Sequence, residues 1–198
     1  MTDVKFPDSL PPVRFFPEVR EKPPEYYRAG AGAWGCLRSH LTLWENFLNS
    51  DDEASFIFEN DVVFADDFEE RFATALSSLP NDWDILYLGG QVIGDDVAAT
   101  RPKRIKNNLF RAYNINRTHA YAIRNTRANA SLFRATKSAY RRDAPGFIGE
   151  HIDTILGSQL STVNAFIVLP QIAGQRAGTS SISNRQVRER WWLNYGDY

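Results

Sequence analysis

Three observations predict an α/β fold, a single domain whose mixed, mostly parallel sheet is flanked by helices. Apolar runs of strand length alternate with stretches whose apolar residues recur at helical spacing, the pattern of a layered sheet-and-helix domain. Two of those runs stop at features suited to a site, acids at Glu59 and Asp61 and paired glycines at Gly89-Gly90. In open α/β sheets ligands gather beyond the carboxyl ends of strands. The chain has 198 residues, 43% hydrophobic and 13% aromatic, enough for one substantial core and too little for two.

Residues 1–28 form an irregular, proline-punctuated lead, in which Val13-Arg14-Phe15-Phe16 is a short strand candidate between Pro12 and Pro17. Gly30-Ala31-Gly32-Ala33-Trp34-Gly35 matches G-x-G-x-x-G by letter. It lacks the preceding strand and the later strand-ending acid that a dinucleotide site requires, so close packing of backbone on backbone competes as its explanation. From Cys36 to Leu48, Leu37, Leu41, Trp44 and Leu48 set one apolar helical stripe. His40 lies beside the stripe, and both a hydrogen-bonded packing role and a ligand role are open to it.

Within Phe56 to Phe64 the apolar run that stops at Glu59 and Asp61 reads as a buried strand whose end delivers both acids to one side of a crevice, or the acids simply end a strand and start a loop. Two hard oxygen donors that close together call for a shared proton or a divalent Mg or Mn ion. Asp66 or Asp67 caps a helix over 68–79, and Asp84 to Leu88 is the next strand. Gly89 permits a sharp turn or the approach of a ligand to the backbone. Residues 91–108 read as a polar excursion, either a solvated loop or a phosphate-binding one, in which Arg101, Lys103, Arg104 and Lys106 carry the charge. Strands are expected over 109–113 and 118–123, then a helix over 127–140 capped by Asn125 or Thr126. In Gly149 to Leu156, Ile152, Ile155 and Leu156 set a helical face. Glu150 and Asp153 there either cap that helix or act as a general base or metal contact. Val163 to Leu169 is the last strand expected, and the tail from 171 to 198, with Arg185, Arg188, Arg190, Trp191 and Trp192, packs on the domain or covers the site.

The net charge of −1 conceals a strong segregation: residues 1–100 hold 19 of 24 acids, whereas 101–142 hold 12 of 23 bases and no acid. An acidic side for a cation and a basic side for an anion would both be satisfied by a metal-bound diphosphate; a nucleic-acid backbone would satisfy the basic 101–142 segment alone. The single Cys36 forms no intrachain disulfide and has no second thiol for a zinc pair. With no membrane-spanning apolar run and no signal-peptide order, a cytoplasmic location is expected. G-x-S-x-G, P-loop and H-E-x-x-H motifs are absent, which leaves hydrolase and kinase readings without support.

Four segments resemble glycosyltransferase family 25, the group of lipooligosaccharide and procollagen galactosyltransferases. Gly32-Ala33-Trp34-Gly35-Cys36-Leu37-Arg38-Ser39-His40-Leu41-Thr42-Leu43-Trp44 is similar to its G-E-x-G-C-x-x-S-H-x-x-x-W block, and Ile57-Phe58-Glu59-Asn60-Asp61-Val62 to its E-D-D-V motif. Trp83 to Gly89 resembles its W-D-hydrophobic-G segment, and Thr118 to Ile123 a later strand; order and spacing agree over about residues 30–170. The resemblance implies a GT-A-like domain over 29–170 that transfers a hexose from a UDP-sugar to a saccharide or other hydroxyl acceptor with inversion. It implies a Mn or Mg ion on Asp61 and Glu59, a nucleotide contacted by Asn60, Gly89 and Arg117, and a base at Asp153 or Glu150. Arginines after 101 would clamp the diphosphate. Two departures stand out: Asn60 replaces the family's usual aspartate, and the family's first strand and helix have no counterpart in 1–12, which implies a donor pocket that is remodelled, borrowed from a partner or absent.

Overall fold

The computed structural model describes residues 4–94, 98–140, 151–180 and 185–191. Along the chain these form α1 (Gly30–Leu48), β1 (Ala54–Phe58), β2 (Val62–Phe64), α2 (Phe68–Leu76), β3 (Ile85–Tyr87), β4 (Gln91–Val92), β5 (Lys103–Lys106), β6 (Leu109–Arg111), β7 (Ile115–Asn116), β8 (Ala120–Arg124), α3 (Arg127–Ala139), α4 (Ile152–Gln159), β9 (Ala165–Val168), β10 (Ala173–Gln175), β11 (Gly178–Thr179) and β12 (Gln186–Val187).

Six strands make the central sheet in the order β1-β8-β3-β9-β6-β5. The α/β class holds, but the sheet is mixed rather than mostly parallel: β3 and β9 pair parallel, while the β1–β8, β8–β3, β9–β6 and β6–β5 pairs are antiparallel. The reason is topological: β8 inserts between β1 and β3, so the crossover that would make those two parallel neighbours is interrupted.

Period-two alternation sorts the side chains into two layers. Ile57, Ile85, Tyr87, Tyr121, Ile123, Ala165 and Ile167 face one cluster with Leu37, Leu41 and Trp44 of α1, Leu132 and Phe133 of α3, and Ile155 and Leu156 of α4. Leu86, Ala120, Ala122, Phe166 and Val168 face the other, with Phe68, Phe72 and Ala75 of α2. Ala120 and Ala122 leave room for the rings of α2 where a larger residue would overpack. Thr126 caps α3 as expected, its side chain accepting from the Asn129 amide at 3.1 Å. Asp84 is buried and satisfied, accepting from Thr126 Oγ1 at 2.6 Å and the Asn164 amide at 2.7 Å, and so ties β3 to α3 and β9.

The strand expected to stop at the two acids does so, but the acids themselves do not continue its alternation. β1 ends at Phe58, residues 59–61 form a turn closed by the Val62 amide on the Glu59 carbonyl at 3.1 Å, and β2 leaves to pair antiparallel with β10. Phe58 and Phe64 meet edge to face at 5.4 Å across that turn and Phe6 packs on both at 5.7 Å, so aromatic packing sets its shape.

Other expectations are corrected by pairing partners that the sequence does not reveal. Val13–Phe16 is an exposed extended stretch rather than a strand, with Phe15 78% exposed. The G-x-G-x-x-G letters lie inside the first turns of α1 instead of forming a phosphate loop, and a Cβ on Gly35 would meet the Val19 carbonyl oxygen at 3.0 Å, which is the backbone-on-backbone explanation. The excursion after residue 91 contains β4 and the edge strand β5, folded onto β6 through Asn107, whose φ of 52° suits asparagine. β9 is not the last strand: Ile172 and Ala173 are fully buried, and β10, β11 and β12 follow.

Candidate active site

Glu59, expected as a ligand-facing acid, emerges from the end of β1 towards α1. Its Oε1 accepts from Thr118 Oγ1 at 2.7 Å and contacts His40 Nε2 at 3.3 Å. His40 is one helical turn after Cys36 and one before Trp44, so all three project along the same face of α1. His40 Nδ1 lies 2.9 Å from the Tyr121 hydroxyl, which also accepts from Trp44 Nε1 at 2.9 Å. An indole N–H only donates. The Glu59 carboxylate only accepts, so Nε2 carries a proton pointed at it, whether Nδ1 accepts from the Tyr121 O–H or, in the imidazolium, donates to it. Burial alone would raise the Glu59 carboxyl, but the His40 hydrogen bond and charge, with Thr118, outweigh it and hold it at about 2. Glu59 is thus a fixed anion.

Asp61, three residues past β1, has the opposite character. Oδ2 accepts from Gln175 Nε2 at 3.1 Å and its carbonyl accepts from the Arg176 amide at 2.6 Å, whereas Oδ1 is buried with no hydrogen-bond partner among the described residues. Burial, then the negative charge of Glu59, pushes its carboxyl up to about 6. Asn60 sits exposed at the tip of the turn between them.

Asp153 lies in the first turn of α4. Its Oδ1 accepts from the Thr154 amide at 2.9 Å, and its Oδ2 accepts from the Arg117 amide at 3.1 Å with the Arg117 guanidinium at 3.9 Å. Arg117 has φ of 77°, uncommon for a side-chain-bearing residue, and also reaches Gln91 Oε1 at 3.3 Å. Burial, Glu59, Asp153 and Asp61 all raise the Cys36 thiol, so the three carboxylates share one neighbourhood around it. Glu150 lies outside the described residues. The space beside Gly89 is filled from the protein itself: a Cβ there would collide with the Ala173 carbonyl oxygen and with His119 Nε2, both well inside 3.0 Å. Its lack of a side chain is explained by that contact.

Among the described residues, Cys36, His40 and Glu59 bring ligand-type atoms within 4.8 Å of one another. The proton on His40 Nε2 occupies the lone pair that a metal there would need. Strand β5 of the basic segment lies away from this site. β1 and β5 are opposite edges of the sheet, and five steps of ~4.8 Å put them roughly 24 Å apart. A single diphosphate cannot bridge them. Of the described bases of 101–142, Arg117 stands at Asp153, whereas Arg111 binds Asn164 at 2.9 Å, Lys137 pairs with Glu45 at 2.7 Å, and Arg124 reaches the Asn81 carbonyl. No helix among the described residues is long and apolar enough to cross a membrane.

Sequence reasoning missed Tyr121, Thr118, Gln175 and Arg176. The serine-histidine and tryptophan spacing of α1 signalled the first partner, since His40 and Trp44 fall on one face; nothing local marked Gln175.

The comparisons with known proteins fall on the same segments. A stretch of 61 residues aligns at 36% identity with procollagen galactosyltransferase 1-A of Xenopus laevis, covering 29% of this chain and 10% of that protein. A probable inactive glycosyltransferase 25 family member 3 of Rattus norvegicus is 29% identical over 68 residues, 33% of this chain and 12% of that one. The matched stretch therefore spans about a tenth of these relatives' length. A crystal structure of mannose-1-phosphate geranyltransferase from Thermus thermophilus superposes with a TM-score of 0.41 at 14% identity, over 68% of this chain and 50% of that one. The profile described as Glycosyltransferase family 25 (LPS biosynthesis protein) matches residues 20–144, which include α1, Glu59, Asp61, Arg117 and Tyr121, and the chain belongs to that family.

Proposed function

We propose that the protein, with a GT-A-like domain, transfers a hexose from a nucleotide-sugar, UDP-linked in the simplest case, to a saccharide or other hydroxyl acceptor with inversion. The observation that carries this reading is the orphaned Oδ1 of Asp61 beside the fixed anion Glu59. A buried carboxylate oxygen, unpartnered among the described residues, with its carboxyl pushed up by burial and then by a neighbouring charge, is relieved by a cation, and an all-oxygen donor set suits Mn or Mg. When bound, such an ion would offset the charge that develops on a departing diphosphate.

The chain's own groups would divide the remaining work. Glu59, held by His40 and Thr118, keeps its charge and direction while Asp61 faces the ion. Asp153, in the same neighbourhood, takes the proton of the acceptor hydroxyl; the oxygen then bonds to the anomeric carbon from the face opposite the diphosphate, which leaves with the bonding electron pair. Arg117 fixes Asp153 through its amide and guanidinium. Asn60, exposed at the tip of the turn, contacts the nucleotide. The test is incubation with a panel of UDP-sugars, MnCl2 and simple saccharide acceptors, watching UDP release: turnover that disappears in Asp61→Ala supports the reading, and no binding or release by the native protein removes it.

Binding without transfer is a second reading, favoured by the engagement of Glu59 with His40 and Thr118 and by a relative's being named inactive. It predicts nucleotide-sugar affinity with no UDP release.

A further inference from the structure

We propose that Arg176 and Arg190, on the strap that follows β9, form the anion-binding half of the donor site and take the diphosphate opposite the cation on Asp61. The proposal rests on the glycosyltransferase reading above and assigns a substrate contact within it.

The strap is built onto the Asp61 turn. β10 pairs with β2, placing Gln175 opposite Val62, next to Asp61. Gln175 and Arg190 exchange both backbone hydrogen bonds at 2.9 Å across an antiparallel bridge. Residues opposed in such a pair project their side chains to the same face, ~5 Å apart at Cβ. Since the Gln175 side chain reaches Asp61 Oδ2 at 3.1 Å, the Arg190 side chain leaves from the Asp61 side of the strap. Arg176 is the next residue, its amide on the Asp61 carbonyl at 2.6 Å, and its positive charge is felt at the Asp61 carboxyl. The strap is locked where it passes the turn: a Cβ on Gly174 would meet the Arg190 carbonyl oxygen at 2.8 Å and the Trp191 ring at 2.8 Å.

Both guanidinium groups are available. Among the described residues neither makes an ion pair, Arg190 is exposed and Arg176 half-buried. The alternatives are committed elsewhere: Arg117 is held by Asp153 and Gln91, and on the far edge Lys103 lies 5.5 Å over the Tyr113 ring and Arg104 4.9 Å over Phe110. Residues 143–198 contain four basic side chains, Arg176, Arg185, Arg188 and Arg190, all on this strap, which adjoins the acidic turn through β10. Planar guanidinium forks match phosphate oxygens, and two of them beside a carboxylate-bound cation would surround a diphosphate with positive charge.

The experiment is calorimetric titration of the full chain with Mn-UDP and with Mn-pyrophosphate, which lacks a base and sugar. Arg176→Gln and Arg190→Gln are each expected to weaken both ligands about 10- to 100-fold, as loss of a charge-assisted contact does. Mn binding alone and the thermal midpoint should hold, because the backbone bonds of the strap are kept; Arg190→Gln, at an exposed side chain, serves if Arg176→Gln does not fold. Unchanged affinity in the folded variants overturns the clamp while leaving the enzymatic reading intact. An equal loss in a Lys103→Gln/Lys106→Gln double variant overturns it as well, by reducing the effect to overall charge. No binding of either ligand by the native protein overturns the clamp and the enzymatic reading together.

Discussion

Asp61→Asn should make the protein more stable at neutral pH while removing its cation site. The Asp61 carboxyl is pushed up to about 6 from an ordinary 3.8, so the folded state holds its proton more tightly than the unfolded chain does. For an acid shifted upward, the stability contributed by the protonated form is complete below pH 3.8 and is lost as pH rises through 6. A gap of about two pH units corresponds to at most about 3 kcal/mol, and the partial exposure of Asp61 reduces this to about 1–3 kcal/mol. Asparagine keeps an oxygen for Gln175 Nε2 and removes the repulsion with Glu59. At about 2–4 °C per kcal/mol for a chain of this size, the midpoint at pH 7.5 should rise by about 2–12 °C, with almost no gain at pH 4. MnCl2 should raise the native midpoint and leave that of the variant unchanged. Thermal melts at the two pH values, each with and without MnCl2, measure all of this. A variant that is less stable than the native chain by the same amount at both pH values refutes the reasoning, since Asp61 would then be an ordinary structural acid.

Glu59→Gln should behave oppositely. The native carboxyl is held at about 2 against an ordinary 4.5, so its contribution is present above 4.5 and lost as pH falls towards 2. The variant should be about 2–3 kcal/mol less stable at pH 7 and nearly equal to the native chain near pH 2, by urea unfolding across that range. Tyr121→Phe removes an oxygen that serves both Trp44 and His40, and leaving the buried indole N–H unsatisfied should cost about 1–3 kcal/mol in the same assay. Gly89→Ala should prevent stable folding because its Cβ would stand well inside 3.0 Å of the Ala173 carbonyl oxygen, while Gly178→Ala, with nothing within 4 Å, should leave the melting curve where it is.

The parts of this fold written in local pattern were legible in the sequence. β3, β8 and β9 follow their apolar runs, α3 starts at its threonine cap, and α1 buries Leu37, Leu41 and Trp44 as the spacing requires. Strand direction was not, because it depends on β8 being placed between β1 and β3, a choice made across more than sixty residues of intervening chain. The site was half legible. The strand end before the two acids was legible, yet strand alternation was the wrong cause for their proximity, which is a turn packed under Phe58 and Phe64. The charge segregation left open one ligand gripped from two sides and a polyanion on the basic segment alone; the sheet carries its basic strand β5 to the edge away from β1, and of the strap arginines Arg190 stood out in the tail whereas Arg176 had no local signature. His40 proved to be a hydrogen-bonded packing residue that also directs Glu59, two roles that a linear pattern presents as alternatives.

The central claim, that Asp61 beside Glu59 holds a divalent cation bridged to a sugar nucleotide, is tested most directly by titrating Mn with the free-ion electron paramagnetic resonance signal as readout, with and without UDP. The account predicts one Mn bound per chain, tightened by UDP and abolished in Asp61→Ala. Mn binding that is identical in the native protein and Asp61→Ala, or that is indifferent to UDP, would contradict it.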